Sequence, residues 1–463
     1  MGCSSTLKPN SLELHLKLEP AAYGKPIAMK NVPSKNIETR NKKTSNIAII
    51  GGGLTGLTAA IRAAELGYHV DLFEAAPELG GRTRSFFHQP TQTWIDNGPH
   101  LLIGVYERTL QLLKEVDALK NTAWQDSLTL PLWDAKRGHF ALKTSPYLPF
   151  PLAIMRAVQQ MPGHGLSMIP SILRLAWSMK KEQKNSVLEW MQSANISTVL
   201  QRDMIEVLCL GAMNEAMDTA NAASFARVLQ QAFANHKTAR LGWFTAPLSQ
   251  ALIEPLAQYC QQLGVHTHTS SRVQSLEAHQ QHCMLTTRSD SKVYDKVILA
   301  TAPTVRNKLL RVKQHIETKP ITNVHLWFDE KITLSSPFIG GIGTYGQWFF
   351  DISCQFHDKS RKNHQLSHLC AVISADASIK INEEKIAQVI NELQNITGHI
   401  HLKPRYQRII TVQAATHLVR PSQNSGVLSD HIIDACEQPT PGELPATIES
   451  AIVRGEQAAL QLR

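Results

Sequence analysis

Residues 46–85 read NIAIIGGGLTGLTAAIRAAELGYHVDLFEAAPELGGRTRS and organise the rest of the chain. The apolar run from Ile47 to Ile50 predicts a short buried strand. It leads into a GxGxxG turn built on Gly51, Gly53 and Gly56, and the run that follows, from Leu54 to Leu66, predicts a helix. Such glycines let the backbone approach a pyrophosphate, and the helix N-terminus offers it free N–H groups. The stretch therefore predicts a dinucleotide site.

A second apolar strand, predicted from Val70 to Phe73, ends in the acidic residue Glu74. This carboxylate follows Gly56 by 18 residues, close to the spacing at which an acid accepts hydrogen bonds from the ribose hydroxyls of a bound nucleotide. A negative charge at this position disfavours a 2′-phosphate. The sequence therefore indicates a dinucleotide other than NADP.

Two further motifs point to a flavin. Leu79-Gly80-Gly81-Arg82 resembles the GG-R motif of the flavin amine oxidase and phytoene desaturase superfamily, whose dinucleotide is FAD. The stretch WIDNGPHLLIGVY at residues 94–106 is similar to the squalene-associated branch of that superfamily, the hydroxysqualene dehydroxylases of hopanoid synthesis. The resemblance covers roughly residues 46–463 and is strongest at the two ends of that range.

The resemblance implies an α/β fold in which a Rossmann-type FAD-binding domain is interleaved with an α+β substrate domain, as in the amine oxidases. The FAD-binding domain is expected at residues 46–110, 245–305 and 411–463. The substrate domain is expected at residues 111–244 and 306–410. The backbone near Val273 would meet the adenine of the cofactor.

The C-terminal stretch ACEQPTPGELPATIESA at residues 435–451 is the third piece of the resemblance. In the family an AGD triplet precedes a helix whose N-terminus points at the flavin pyrimidine ring. Here the triplet is replaced by Ala435-Cys436-Glu437, with Asp434 as the other candidate for the acidic position. Pro445 is placed where the helix should begin. The resemblance thus implies cofactor contacts from Glu437 and Thr447, in addition to the glycines, Glu74 and Arg82.

Between these motifs the sequence predicts secondary structure of both kinds. A capping box at Ser186 and Glu189 starts the first of three helices that reach about His236. Further predicted elements are a helix at Ser249 to Leu263, strands at Val265 to Thr269, Arg272 to Ala278, Met284 to Thr287 and Lys296 to Ala300, strands at Val324 to Phe328, Gln347 to Ile352 and Leu369 to Ser374, and a helix at Glu383 to Leu393.

Composition narrows the class of protein. The net charge is +9, but residues 1–45 hold eight basic and three acidic residues, so five of the nine charges belong to that stretch. We expect residues 1–45 to form a disordered basic tail. Basic runs interleaved with aromatic residues are missing, which argues against a nucleic-acid partner. The seven cysteines include no CxxC pair, which favours reduced thiols in a cytosolic protein without a metal site.

Residues 146–180 are rich in Leu, Ile, Met and Pro, with Arg156, Arg174 and Lys180 among them. Short amphipathic helices broken by proline suit either an internal lid or a segment in the membrane interface. No apolar run is long enough to span a bilayer. The expected location is cytoplasmic, with peripheral contact to the inner face of the cytoplasmic membrane as an extension.

The resemblance implies reductive dehydroxylation of hydroxysqualene to squalene, an apolar isoprenoid. Reduced flavin would supply hydride, and His100 is the candidate catalytic group that assists the departing oxygen. One alternative keeps the enzyme class and changes the substrate to an amine or a carotenoid precursor. A second alternative is a non-catalytic flavin-binding protein at a membrane, because the triplet ending in Glu437 departs from the family pattern.

Overall fold

The structure is a computed structural model that describes residues 45–356, 366–375, 382–419, 429–438 and 440–463. The tail predicted for residues 1–45 lies outside the described residues, apart from Ser45. The strands are β1 (Asn46–Ile50), β2 (His69–Phe73), β3 (Ser85–His88), β4 (Thr93–Asp96), β5 (Leu101–Ile103), β6 (Thr122–Trp124), β7 (Thr129–Asp134), β8 (Gly138–Lys143), β9 (Leu241–Phe244), β10 (His266–His268), β11 (Ser275–Ala278), β12 (Cys283–Thr286), β13 (Ser291–Tyr294), β14 (Lys296–Leu299), β15 (Thr318–Phe328), β16 (Phe338–Ile342), β17 (Trp348–Asp351), β18 (Ser367–Ser374), β19 (Tyr406–His417) and β20 (Ile432–Asp434).

The helices are α1 (Leu54–Glu65), α2 (Glu107–Glu115), α3 (Phe150–Gln159), α4 (Ile169–Ser178), α5 (Val187–Ser193), α6 (Thr198–Leu200), α7 (Glu206–Met213), α8 (Ala222–Ala232), α9 (His236–Ala239), α10 (Glu254–Gln262), α11 (Pro303–Leu309), α12 (Ile352–Gln355), α13 (Glu383–Thr397) and α14 (Ile448–Leu460). Two π-helical turns, Gln201–Ile205 and Ser249–Ile253, run directly into α7 and α10.

A five-stranded parallel sheet, in the order β10-β2-β1-β14-β20, carries the glycine turn at the end of its central strand β1. The inner strands β1 and β14 are mostly apolar because both faces of the sheet are covered there. One face packs with α1, α2, α10 and α14 in a single core. The other face packs against the antiparallel sheet β11-β12-β13. The parallel order brings the carboxyl ends of β1, β2 and β20 to one edge, where ligands of such sheets bind.

A second sheet of seven strands, in the order β19-β15-β18-β17-β16-β7-β8, forms the other half of the described molecule. All pairs of adjacent strands in this sheet are antiparallel except β16 and β7, which are parallel. One face packs against α13, and the other packs against the helices from α3 to α8. The hairpin β3-β4 and the small sheet β5-β9-β6 complete the fold. The predicted α/β architecture with an α+β second domain is confirmed.

Several expected elements differ in detail. Strand β13 was not expected, so the stretch between residues 265 and 300 has five strands, where four were predicted. The strand predicted from Arg272 starts at Ser275, and the helix predicted from Ser249 begins with a π turn. The capping box at Ser186 and Glu189 is present, and α13 continues to Thr397.

Two expected domain boundaries fall inside elements. The boundary after residue 110 divides α2, whose Leu112 and Leu113 belong to the core of the parallel sheet. The boundary after residue 410 divides β19, which pairs with β15 up to His417. The structure therefore extends the seven-stranded sheet through residue 417. A strand of this length could not be delimited by sequence, because half of its residues are polar.

Candidate functional site

The glycine turn after β1 has the shape that a dinucleotide site requires. Gly51 has φ +112°, and a Cβ there would lie 2.4 Å from the Ala300 carbonyl oxygen. A Cβ on Gly56 would lie 1.8 Å from the Gly51 oxygen, so helix and turn touch. A Cβ on Gly53 would meet nothing within 4 Å, because this residue faces open space at the start of α1. These are the three roles expected of such glycines, namely a tight turn, access for the phosphates and close helix packing.

Glu74, which directly follows β2, lies beside the glycine turn. Its two carboxylate oxygens accept hydrogen bonds from the backbone N–H groups of Gly52, at 2.7 Å, and Ala76, at 2.8 Å. Ser271 N–H donates to the Glu74 carbonyl at 2.8 Å, which brings the chain before β11 alongside. Val273 follows, buried in the core beneath the sheet. Glu74 and Val273 therefore lie on the side of the turn where the nucleotide half of the ligand is expected.

The second glycine pair packs directly on the first. Gly80 N–H donates to the Gly52 oxygen at 2.8 Å. Gly81 has φ +57°, and its Cβ would lie 3.3 Å from Gly53 Cα. This contact explains why the motif needs glycine here, and it brings the half-exposed Arg82 to the edge of the open space.

Arg82 is held by two groups that are distant in sequence. Its guanidinium donates to the Ala415 carbonyl at 2.6 Å and forms a close ion pair with Glu437. Glu437 is 4% exposed at its side chain and also lies 3.1 Å from His417 Nδ1 and 4.0 Å from Arg454. Burial alone would raise the pKa of Glu437, but His417 and the arginine charges lower it to about 2. Glu437 is therefore an anion.

The other candidate for the acidic position, Asp434, has a different role. It accepts from Arg306 Nε at 2.8 Å and from Cys436 N–H at 3.0 Å. Arg306 is buried in α11, so this pair fastens the end of β20 to that helix. Glu437, and not Asp434, lies beside Arg82.

Thr447 caps α14. Its hydroxyl accepts from Ser450 N–H at 3.0 Å, and the Ser450 hydroxyl accepts from Thr447 N–H. The helix begins at Ile448, three residues after Pro445, which corrects the expectation that Pro445 starts it. The proline precedes the cap instead, where its fixed φ restricts the entering chain.

The DNGPH segment lies between the two sheets. Asn97 Nδ2 donates to the Arg82 carbonyl at 3.0 Å, and Asn323 of β15 donates to the Asn97 carbonyl at 2.8 Å. A Cβ on Gly98 would collide with the Asn323 amide at 3.0 Å. The segment thus links the glycine-rich loop to the seven-stranded sheet and positions the next residues, Pro99 and His100.

His100 is partly buried in this junction. Burial, together with the positive charge of Arg82, lowers its pKa to about 4. The imidazole is therefore neutral near pH 7, able to donate one hydrogen bond but not to act as a cationic acid. The structure places His100 near enough to Arg82 for the arginine charge to act on the imidazole.

Sequence reasoning missed His417 and Arg454. His417 ends β19, 20 residues before Glu437, and no local pattern connects the two positions. Arg454 could have been noticed, because it lies two helical turns after Thr447 and hence on the same face of α14. Within the described ranges, no group of three or more His, Cys, Asp or Glu side chains is arranged to hold a metal ion. Of the six described cysteines, five are buried.

Within the residues that the structure describes, every helix is too short or too polar to cross a lipid bilayer.

Known proteins resemble this chain in sequence and in fold. A hydroxysqualene dehydroxylase from Sinorhizobium fredii is 24% identical over 438 residues, spanning 89% of this chain and 97% of the relative. A 15-cis-phytoene desaturase from Glycine max is 25% identical over 322 residues, and this match spans 63% of the chain but 55% of the relative. Cyclohexylamine oxidase from Brevibacterium oxydans shares the fold at 14% identity, with a TM-score of 0.61 over 90% of this chain and 98% of that one. Residues 54–429 match the family described as flavin containing amine oxidoreductase. The chain belongs to that family of flavin-dependent oxidoreductases.

Proposed function

We propose that the protein is an FAD-dependent oxidoreductase that replaces the allylic hydroxyl of hydroxysqualene by hydrogen. The observation that carries this proposal is the extent of the match to a hydroxysqualene dehydroxylase, which includes nearly the whole of both chains. The match to a phytoene desaturase leaves almost half of that relative uncovered. The WIDNGPH segment, which carries the resemblance to the dehydroxylases, lies at the junction beside Arg82.

The residues around the glycine turn fit FAD. Gly53 faces open space at the N-terminus of α1, which suits a pyrophosphate. Glu74 would accept from the ribose, the backbone near Val273 would meet the adenine, and Arg82 would face the phosphates. The N-terminus of α14 at Thr447 would stabilise negative charge on the flavin pyrimidine. Glu437 would face the ribityl-phosphate side.

Reduced FAD supplies a hydride when bound. The remaining task for the protein is to orient the substrate and help the oxygen depart, so that hydride goes to carbon, a proton goes to oxygen and water leaves. His100 would donate a hydrogen bond to the hydroxyl from its neutral ring. The helices packed on the seven-stranded sheet supply apolar surface for the hydrocarbon chain.

The test uses anaerobically reduced protein mixed with hydroxysqualene. We expect the flavin absorbance to return and squalene to form in equal amount. Gly53→Val is the matched control, because its side chain would fill the open space and prevent FAD binding. Turnover of a phytoene-like polyene or of an amine by the oxidised protein, without reaction of the alcohol, would favour the alternative substrates. A yellow protein inert towards all three would favour the non-catalytic alternative.

We further propose that the protein takes this substrate from a membrane through residues 146–180, at the inner face of the cytoplasmic membrane. Leu166, Pro170, Leu173 and Trp177 recur every three or four residues, so they form one outward stripe that continues along α4. Leu166, Leu173 and Trp177 are 76%, 56% and 64% exposed. The opposite face of α4, including Leu175, packs into the core.

This part of the chain concentrates apolar exposure. Of the eleven large hydrophobic side chains that are exposed among the described residues, five lie between Tyr147 and Trp177. Arg156, Lys180 and Lys181 are exposed nearby, and the Lys181 ammonium lies 3.3 Å from the centre of the Trp177 ring. Arg174 is also exposed, and its guanidinium donates to the Asn195 carbonyl at 3.0 Å. An apolar stripe flanked by cations suits a surface of anionic lipid.

A further inference from the structure

A second arginine lies close to the glycine turn, Arg454 of α14, whose side chain is 22% exposed but whose Nε atom is buried. Its neighbour Gly455 packs so tightly on α1 that a Cβ there would lie 2.5 Å from the carbonyl oxygen of Thr55. Thr55 belongs to the first turn of α1, whose N-terminus faces the open space at Gly53. The Arg454 guanidinium reaches towards Glu437, at 4.0 Å. Arg454 therefore approaches the phosphate end of the site from the side of α14.

The charges around Glu437 do not balance. Arg82 and Arg454 both converge on this single carboxylate, and His417 lies 3.1 Å from it. The Arg454 contact is at the outer limit of an ion pair. Its Nε atom is buried and finds no hydrogen-bond partner in the part of the chain that is described. A buried N–H of a charged group that lacks a hydrogen-bond partner is costly, and an additional anion would relieve that cost.

We propose that Arg454 is a further cofactor-binding residue that contacts the FAD pyrophosphate together with Arg82, and that Glu437 holds both guanidinium groups in place before the cofactor binds. A pyrophosphate brings two negative charges to the turn that α1 already directs towards it. The planar guanidinium fork matches phosphate oxygens in pairs. The proposal rests on FAD as the cofactor and is independent of the substrate.

The experiment is a titration of FAD-free protein with FAD, followed by quenching of flavin fluorescence. Arg454→Gln keeps much of the side-chain volume and removes the charge, so Kd should rise by roughly tenfold to hundredfold, as for other hydrogen bonds to a charged group. The Kd of Arg454→Lys for FAD should lie between those of wild type and Arg454→Gln, because lysine keeps the charge but lacks the planar guanidinium. ADP carries the pyrophosphate without the flavin, and its Kd, measured by competition with FAD, should rise by the same factor. Riboflavin has no phosphate, and its Kd should not change.

Arg62→Gln is the matched control. Arg62 of α1 pairs with Glu456 of α14 at 3.1 Å, so this variant removes a charge between the same two helices, about two turns from the N-terminus of α1. Its Kd for FAD should stay within twofold of wild type. Arg454→Gln that binds FAD and ADP as wild type does, while melting at a similar temperature, would overturn the proposal. Equal losses for FAD and riboflavin would also overturn it. Wild-type protein that binds FAD but leaves hydroxysqualene unchanged would refute only the proposed reaction.

Discussion

At the scale of single residues, the environment of His100 decides what chemistry it can perform. A pKa near 4 leaves the ring almost fully neutral at pH 7. A neutral imidazole can polarise a hydroxyl by donating one hydrogen bond, which contributes about 1 kcal/mol. A cationic general acid contributes more, typically about 10²-fold to 10⁴-fold in rate. The two roles can therefore be separated by substitution.

We predict that His100→Asn, which also offers a neutral N–H donor, reoxidises reduced flavin with hydroxysqualene at close to the wild-type rate. His100→Ala should be slower by about tenfold or less, because only a neutral hydrogen bond is lost. Since the folded-state pKa is lowered from 6.5 to about 4, the wild-type rate should show no step from His100 between about pH 5.5 and 8. The measurement is stopped-flow absorbance across that range. A step near pH 6.5 that is missing in His100→Asn would show that the charged form is the reactive one.

Residues whose roles depend on neighbours in sequence could be predicted, and those that depend on distant contacts could not. The glycines at 51, 53 and 56 and the acid at 74 follow from local turn and strand patterns, and the structure places Glu74 within hydrogen-bond distance of the glycine turn. The contact of Arg82 with Glu437 joins positions 355 apart. No periodicity encodes such a pairing, which arises only when β20 joins the sheet beside β14.

At the scale of elements, the outward apolar stripe of α4 raises the question of what holds this helix to the protein. The loop before α4 is fastened by Asp203, a fully buried carboxylate in the π turn before α7. Asp203 accepts from Arg137 at 2.6 and 2.9 Å and from Arg202 at 2.8 Å, and it lies 2.8 Å from His164 Nε2. Arg137 also donates to the Pro162 carbonyl at 3.0 Å. The network joins the loop between α3 and α4 to both the sheet and the helices.

We predict that Asp203→Asn lowers the free energy of unfolding by about 3 kcal/mol, because it removes the buried anion that Arg137 and Arg202 share and leaves Arg137 with Asp134 alone. Burial would raise the pKa of Asp203, but hydrogen bonds from His164, Arg137 and Arg202 lower it well below its usual range. A lowered folded-state pKa means that this stabilisation is present above the unfolded pKa of about 4 and is lost as pH falls further. The difference between the proteins should therefore be constant above about pH 5 and shrink in stronger acid.

Chemical denaturation at several pH values measures this difference. Arg202→Gln is the control, since this partner is half exposed and should cost less than about 1 kcal/mol. Equal stability of Asp203→Asn and wild type at pH 7 would contradict an anchoring role.

Helices and strands, like single residues, could be predicted only where a local sequence pattern marks them. Strands β1 and β14 are apolar after their first residue, and the sequence predicts their bounds to within a residue. Three of the four residues of strand β13 are exposed, so its sequence lacks the alternation of apolar and polar residues that predicts a strand. The π turn before α10 keeps the helical spacing of apolar residues almost unchanged, and sequence spacing alone does not reveal the extra residue.

At the scale of the whole molecule, two sheets with separate cores meet at the DNGPH segment. Helix α4 carries the apolar stripe on its outer face and packs its opposite face, including Leu175, into the core of the seven-stranded sheet. A hydrocarbon substrate is poorly soluble in water, and an enzyme that collects it from a bilayer needs an apolar contact on the substrate side of the fold. The stripe formed by Leu166, Pro170, Leu173 and Trp177 lies on the half of the fold in which we propose that the substrate binds. This arrangement leads to a prediction for the intact protein.

We predict that the protein sediments with vesicles containing anionic lipid, and that the double variant Leu173→Glu and Trp177→Glu loses most of this binding. Each exposed apolar side chain that enters lipid contributes about 1.5 to 3 kcal/mol when fully buried, so losing two should lower partitioning by at least about tenfold. Ile400→Glu is the matched control, because Ile400 is 80% exposed but lies outside the stripe. Charge reversal at Arg156 and Lys180 should weaken binding more at low salt than at high salt. A chain lacking residues 1–45 should still bind; binding that disappears with those residues alone, or that survives the double variant unchanged, would place the membrane contact elsewhere.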